Sequence, residues 1–185
     1  LSEESKMDSL RTSACSGYIT FERWEGIAGY NLPDLSTIPE YPDFPTNSYT
    51  LSSMEIPTTV GADFLARLSG TLQAPETGTY YFWIAGDNAV ELSLSTDAKE
   101  VNKQLIAYHN SWTGIKEWDK FTSQKSTGIN LTEGEGYYIE ALLKGDANYN
   151  HLAVGWRKPS DGDTIIVIPG SVLMPLMDAT APTVP

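Results

Sequence analysis

Hydrophobic positions in this chain recur with a period of two rather than 3.6. The clearest case is residues 90–95, where Val90, Leu92 and Leu94 alternate with Glu91, Ser93 and Ser95. That pattern predicts a half-buried strand. Just upstream, Tyr80-Tyr-Phe-Trp-Ile84 is apolar on both faces, which predicts a strand inside a sheet covered on both sides. Residues 17–24 and 62–72 read as further strands, the second with Phe64, Ala66 and Leu68 on one face. Short strands are expected at 101–107, around 112–115 and near 128–131. Longer ones are expected at 137–144 and 151–157, and 165–168 and 172–176 close the series.

Pro75-Glu-Thr-Gly78 and Glu133-Gly-Glu-Gly136 read as turns. Residues 31–47 carry Pro33, Pro39, Pro42 and Pro45, which forbids a long helix and favours an extended surface segment. No window supports a helix longer than about three turns. Many short strands joined by Gly, Pro and Asn turns predict an all-β, antiparallel β-sandwich.

The 185 residues suffice for one domain with a sizeable core. Residues 1–15 read as a polar lead-in, 16–177 as a single domain, and 178–185 as a linker by composition. The chain opens on Leu1 and is expected to be a segment of a longer, multidomain protein. No apolar run approaches the roughly 18 residues that span a bilayer, so no membrane insertion is expected. Net charge is −12, from 24 acidic and 12 basic residues, and residues 25–66 hold six acids and no Lys or Arg. Nucleic acid is therefore a poor partner, because phosphate binding needs a basic face. An acidic surface keeps a protein soluble and attracts cations. The single Cys15 forms no internal disulfide, and two histidines with one cysteine are too few for a structural zinc site.

The chemistry concentrates at Gly86-Asp87-Asn88, between the aromatic-rich strand and the alternating one. Two adjacent oxygen-bearing side chains at a sheet end suit a hard cation, although the same residues are common turn formers. The loop Asp146-Ala-Asn148-Tyr149-Asn150 begins like an EF-hand but has His151 and Arg157 where Gly and Glu are required. His151 adjoins this loop, though an imidazole is a poor calcium ligand, and His109 reads as an ordinary surface or half-buried residue. Trp83 and Trp156 are expected in the core. Trp112 and Trp118 lie in turn-rich sequence, where packing is favoured over stacking on a sugar ring. Tyr149 is the better candidate for a ligand contact. Asn130-Leu-Thr132 fits the N-glycosylation acceptor pattern. Gly-x-Ser-x-Gly, His-Glu-x-x-His and phosphate-loop motifs are absent, so binding rather than catalysis is expected, a role compatible with an accessory module of an enzyme.

An ordered series of stretches resembles the anthrax protective-antigen (PA-fourteen) domain family. It comprises Gly78-Thr-Tyr-Tyr-Phe-Trp-Ile-Ala, Glu91-Leu-Ser-Leu-Ser-Thr-Asp97, Glu117-Trp-Asp-Lys120, Ser123-Gln-Lys-Ser126, Gly136-Tyr-Tyr-Ile-Glu-Ala-Leu142, Leu152-Ala-Val-Gly-Trp156 and Ile168-Pro-Gly-Ser171. The resemblance implies a jelly-roll-like β-sandwich of the kind found in toxins, glycosidases, proteases, flocculins and bacterial adhesins. In the family's lectins, Ca2+ is held by two adjacent Asp residues joined by a cis peptide and by a later loop, and the ion coordinates sugar hydroxyls. Carried over, the implied metal ligands are Asp87, Asn88 and Asn150, with Asp146, Asn148, Tyr149, His151 and Trp118 as ligand contacts. Asn88 departs from the expected second Asp, which lowers the site's charge and hence its expected affinity. The implied role is a calcium-dependent, monomeric glycan-binding module of an extracellular protein such as an adhesin. The alternative is a spacer or protein-interaction domain whose metal site has lapsed.

Overall fold

Alternating apolar residues pack here as two antiparallel sheets, face to face. The structure, a computed structural model, describes residues 17–59, 61–146 and 149–175. The strands are β1 (Ile19–Glu25), β2 (Asn47–Leu51), β3 (Glu55–Thr59), β4 (Phe64–Gln73), β5 (Gly78–Asp87) and β6 (Val90–Ser95). They continue with β7 (Lys103–His109), β8 (Ile129–Leu131), β9 (Gly136–Gly145), β10 (Asn150–Arg157), β11 (Ile166–Val167) and β12 (Leu173–Pro175). The larger sheet runs β2-β1-β4-β9-β6-β7 with β12 on β4. The smaller runs β11-β10-β5-β8 with β3 on β10. Helical structure among the described residues is limited to short 3₁₀ turns at Leu35–Thr37, Glu100–Asn102, Thr122–Gln124 and Gly170–Val172.

The predicted all-β sandwich is therefore the observed one. Tyr80, Phe82 and Ile84 of β5 meet Leu92 and Leu94 of β6, Ile139 and Leu143 of β9, and Val154 and Trp156 of β10 in the central core. Burying each such side chain contributes about 1.5–3 kcal/mol. The other face of β5 is also covered: Lys125 Nζ lies 5.2 Å and Arg157 Cζ 5.8 Å from the Trp83 ring. Trp83 is thus buried as expected, but on the outer face of its sheet rather than between the sheets.

Two strands lay outside the sequence pattern. β2 is exposed along almost its whole length, so no alternation marks it. β3 contains Pro57, which is tolerated because the strand is an edge piece that pairs only with β10. The strand expected around 112–115 is not formed. Among the described residues β8 pairs only with Gly78–Tyr80 of β5, and beyond it backbone and side-chain groups of Thr113, Gln124 and Ser126 finish the β5 edge. Ser126 N–H donates to Phe82 O at 2.9 Å, and Gln124 Nε2 donates to Ile84 O at 2.9 Å. Thr113 takes the last position, its N–H donating to Gly86 O at 2.9 Å and its Oγ1 accepting from Gly86 N–H at 3.0 Å.

The proline-rich segment lies across the outer face of the larger sheet, where Ile38, Leu35 and Tyr41 pack on Trp24 and Leu65. Beneath it is a buried charge network. Arg67 bonds Glu22 at 2.7 Å, Lys103 Nζ bonds Glu140 Oε1 at 2.9 Å, and Tyr138 OH donates to Glu140 Oε2 at 2.7 Å.

Candidate functional site

Two inter-sheet crossings run side by side at one end of the sandwich. The first, through Asp87-Asn88, carries the chain from β5 in the smaller sheet to β6 in the larger. The second makes the reverse crossing, between Gly145 at the end of β9 and Asn150 at the start of β10. Their flanks are in register: His151 pairs with Asp87 in one sheet and Val90 with Leu143 in the other. Backbone bonds tie the crossings together, Asn88 N–H to Lys144 O at 3.0 Å and Lys144 N–H to Ala89 O at 2.9 Å.

Local packing demands small residues here. A Cβ at Gly86 would sit 2.5 Å from Val90 Cγ1 and 3.0 Å from His151 O, and one at Gly145 would collide with the Phe64 ring. The Asp87–Asn88 peptide is cis, as the family resemblance implies.

Asp87 and Asn88 are both half-buried. Asn88 Nδ2 donates to Asp146 Oδ1, a bond that uses the amide NH2 and not the amide oxygen. Burial pushes the Asp87 carboxyl above its usual range; Asp146 adds to the push, while His151 and Lys120 pull it back. The corner therefore joins two carboxylates, Asp87 and Asp146, around one amide. Asn150 is only 1% exposed. Its Oδ1 accepts from Asp146 N–H at 3.2 Å and its Nδ2 donates to Gly61 O at 2.9 Å. Through these bonds it braces the loop that presents Asp146. Among the described residues no group of three or more His, Cys, Asp or Glu side chains is placed to hold a metal ion. The donors available are oxygens of two acids and neutral amides, a set that fits a hard cation with flexible coordination.

The remaining expected contacts divide. Tyr149 is 73% exposed beside the loop. His151 is buried, with Nε2 3.0 Å from Thr113 O. Since a carbonyl only accepts, Nε2 carries the proton, and Nδ1 is buried without a partner among the described residues. His151 thus positions the loop around Thr113. Asn148 lies outside the described residues. Trp118 is not gathered into the corner: its ring packs over Gly155, where a Cβ would lie 3.1 Å from Cη2, and Gly155 pairs with Trp83 rather than with Asp87.

Three neighbours of the corner were not assigned to it from the sequence. Thr113 pins the 110–121 segment against Gly86, as described. Trp112, expected to be packed, is 55% exposed, and Lys120 Nζ lies 3.0 Å from its ring centroid while donating to Trp112 O at 2.8 Å. His109 is buried rather than half-buried, and Nδ1 lies 3.0 Å from Ser111 O. Burial lowers its pKa to about 4, the Ser111 carbonyl opposing and Lys120 and His151 adding to the fall. On the other flank, a cleft of about 180 Å3 is lined by Gly29, Tyr30, Asp63 and Asp146.

This geometry can be set against known proteins. Human fibrocystin-L is 37% identical over 81 residues, covering 44% of this chain and 2% of that protein. Mouse fibrocystin is 31% identical over 121 residues, covering 58% of this chain and 3% of that protein. The chain thus spans only a small fraction of the curated relatives it matches. Among solved structures, a PA14 sugar-binding domain from an RTX adhesin superposes with a TM-score of 0.62 at 14% identity, covering 86% of this chain and 99% of that one. The Epithelial Adhesin 9 A domain from Candida glabrata, solved in complex with Galb1-4GlcNAc, superposes with a TM-score of 0.62 at 17% identity, covering 91% and 93%. A family model described as PA14 domain matches residues 16–167, and the chain accordingly belongs to the PA14 domain family.

Proposed function

We propose that this chain is a glycan-binding module of an extracellular protein and that its Asp87–Asn88 corner binds Ca2+. The observation that carries this reading is the meeting of Asp87 and Asp146 at Asn88, where the two crossings run together. Asp87, Asp146 and the Asn88 amide oxygen would hold the ion, with Asn150 bracing the second acid. The bound ion would supply a Lewis acid for sugar hydroxyls. The chain's own residues would do the rest: Tyr149, Trp112 and Lys120 border the corner as exposed ring faces and a donor, suited to the apolar faces and hydroxyls of a saccharide. The adhesin domains with the same fold that are described as sugar-binding or solved with a disaccharide support the ligand class. The module is assigned binding and no catalytic step.

Calorimetry with millimolar calcium chloride tests the ion, and a glycan array read with and without EDTA tests the sugar. Measurable heat and EDTA-sensitive glycan binding are expected. A flat titration overturns the calcium reading. It would favour a second reading, a spacer domain, in which the Asn88–Asp146 bond closes the corner without an ion.

A further inference from the structure

The sequon Asn130-Leu131-Thr132 plays no part in the corner. Asn130 lies on β8, the edge strand of the smaller sheet. β7 is the edge strand of the larger sheet. Between the two edges opens a cleft of about 600 Å3, lined by Leu94, Leu105, Ile106, Tyr108, Ile129 and Asn130 among others. Leu105 and Tyr108 are 51% and 42% exposed. An exposed edge strand beside apolar side chains is a template for unwanted pairing unless something covers it.

Asn130 is exposed, and its amide orientation is set by Thr79, whose Oγ1 donates to Asn130 Oδ1 at 2.7 Å. That bond uses the oxygen and leaves Nδ2, the atom to which an N-linked sugar attaches, without a hydrogen bond among the described residues. Glycosylation therefore preserves the Thr79 contact. Thr132 is also exposed. Its backbone N–H is held by Tyr137 OH at 2.9 Å, and its hydroxyl makes no hydrogen bond among the described residues.

We propose that Asn130 carries an N-linked glycan whose inner sugars lie over the inter-sheet cleft, covering Leu105, Tyr108 and the β7 edge. In the transfer, Asn130 Nδ2 attacks the anomeric carbon of a polyprenyl-diphosphate oligosaccharide. A C–N bond forms, the C–O bond to the diphosphate breaks, the polyprenyl diphosphate leaves, and the amide loses one proton. A bulky, hydrophilic glycan at this point solubilises the open end of the sandwich. The inference rests on the extracellular placement proposed above, but not on calcium.

The test is secretion of the full chain from cultured cells whose secretory route N-glycosylates. A glycan-releasing amidase, which converts the modified Asn to Asp, is followed by peptide mass spectrometry. Most secreted molecules are expected to carry one glycan at Asn130. The glycan should be lost in Asn130→Gln and in Thr132→Ala, which leaves Asn130 untouched, and kept in Thr132→Ser. Hydrogen exchange across residues 103–109 should be slower in the glycosylated protein than after release. An unmodified Asn130 in folded, secreted protein overturns the proposal, and a glycan that leaves β7 exchange unchanged overturns its covering role. The calcium titration is expected to be unaltered by both sequon variants, so failure here is distinguishable from failure at the corner.

Discussion

Acidic side chains in this molecule are handled in two opposite ways. Under the proline-rich segment, half-buried Glu22 and buried Glu140 are paired with Arg67 and Lys103, with Tyr138 donating a further bond to Glu140. Burial alone would lower the Arg67 pKa, but Tyr41, Glu22 and Glu140 together raise it. At the sandwich end, Asp87 makes no ion pair among the described residues; burial and Asp146 push its carboxyl up, and Lys120 and His151 counter only through their fields. One region balances its acids with cations belonging to the chain, in a place largely shielded from solvent. The other leaves Asp87 half-exposed with a second carboxylate nearby, which is the condition under which an exchangeable cation gains most.

The comparison can be broken from either side, and the largest effect is expected inside the network. Arg67→Leu strands Glu22 and Glu140 with less compensation, so it should cost about 3–5 kcal/mol, read by urea denaturation. A loss below about 1 kcal/mol would show that the network contributes little.

The next effect, about 3 kcal/mol, is pH-dependent and comes from His109 beside the corner. Its folded pKa of about 4 lies below the ordinary value of 6.5. Between those values the unfolded chain binds the proton and the folded chain does not. Stability should therefore fall as pH drops from about 6.5 to 4, and His109→Gln should flatten that part of the profile.

Calcium at a hundredfold excess over its dissociation constant should stabilise the protein by about 2.7 kcal/mol. Asp87→Ala should abolish this increment in a thermal-shift titration while leaving the metal-free melting temperature no lower. The metal-free protein gains nothing from an ionised Asp87, whose folded pKa is raised.

The smallest effect is expected at Asn88. Asn88→Asp adds a charged ligand and should tighten calcium about tenfold, or about 1.4 kcal/mol. The same change removes the amide donor to Asp146 and should destabilise the metal-free protein. Equal calcium affinity in the two proteins would remove Asn88 from the ligand set.

The sequence carried the strands with at least one face marked by apolar residues. β6 was legible because Val90, Leu92 and Leu94 alternate with polar residues, and β5 because its run is apolar on both sides. β2 was not, because an edge strand exposed on both faces leaves no periodic trace. Pro57 concealed β3 for a related reason: only an edge strand accepts it, and edges are defined by neighbours. At the site, Asp87, Asn88, Asp146 and Asn150 were all named from sequence, but the bonds by which Asn150 braces the loop, to Asp146 N–H and Gly61 O, were not legible there. Packing was favoured for both Trp112 and Trp118, yet only Trp118 packs, because turn-rich sequence does not say which ring finds a bare glycine such as Gly155 to pack against.

What the sequence determined by itself was local: the period-two pattern that makes an all-β sandwich, the Gly86-Asp87-Asn88 corner, and the motifs that mark the family. Only the tertiary structure decided that β5–β6 and β9–β10 cross between sheets side by side, bringing Asp146 to Asn88 across 58 positions of chain. The physical reason is that sheet pairing is non-local. Side-chain alternation specifies which face of a strand is buried, whereas the neighbour it pairs with depends on packing of the whole core.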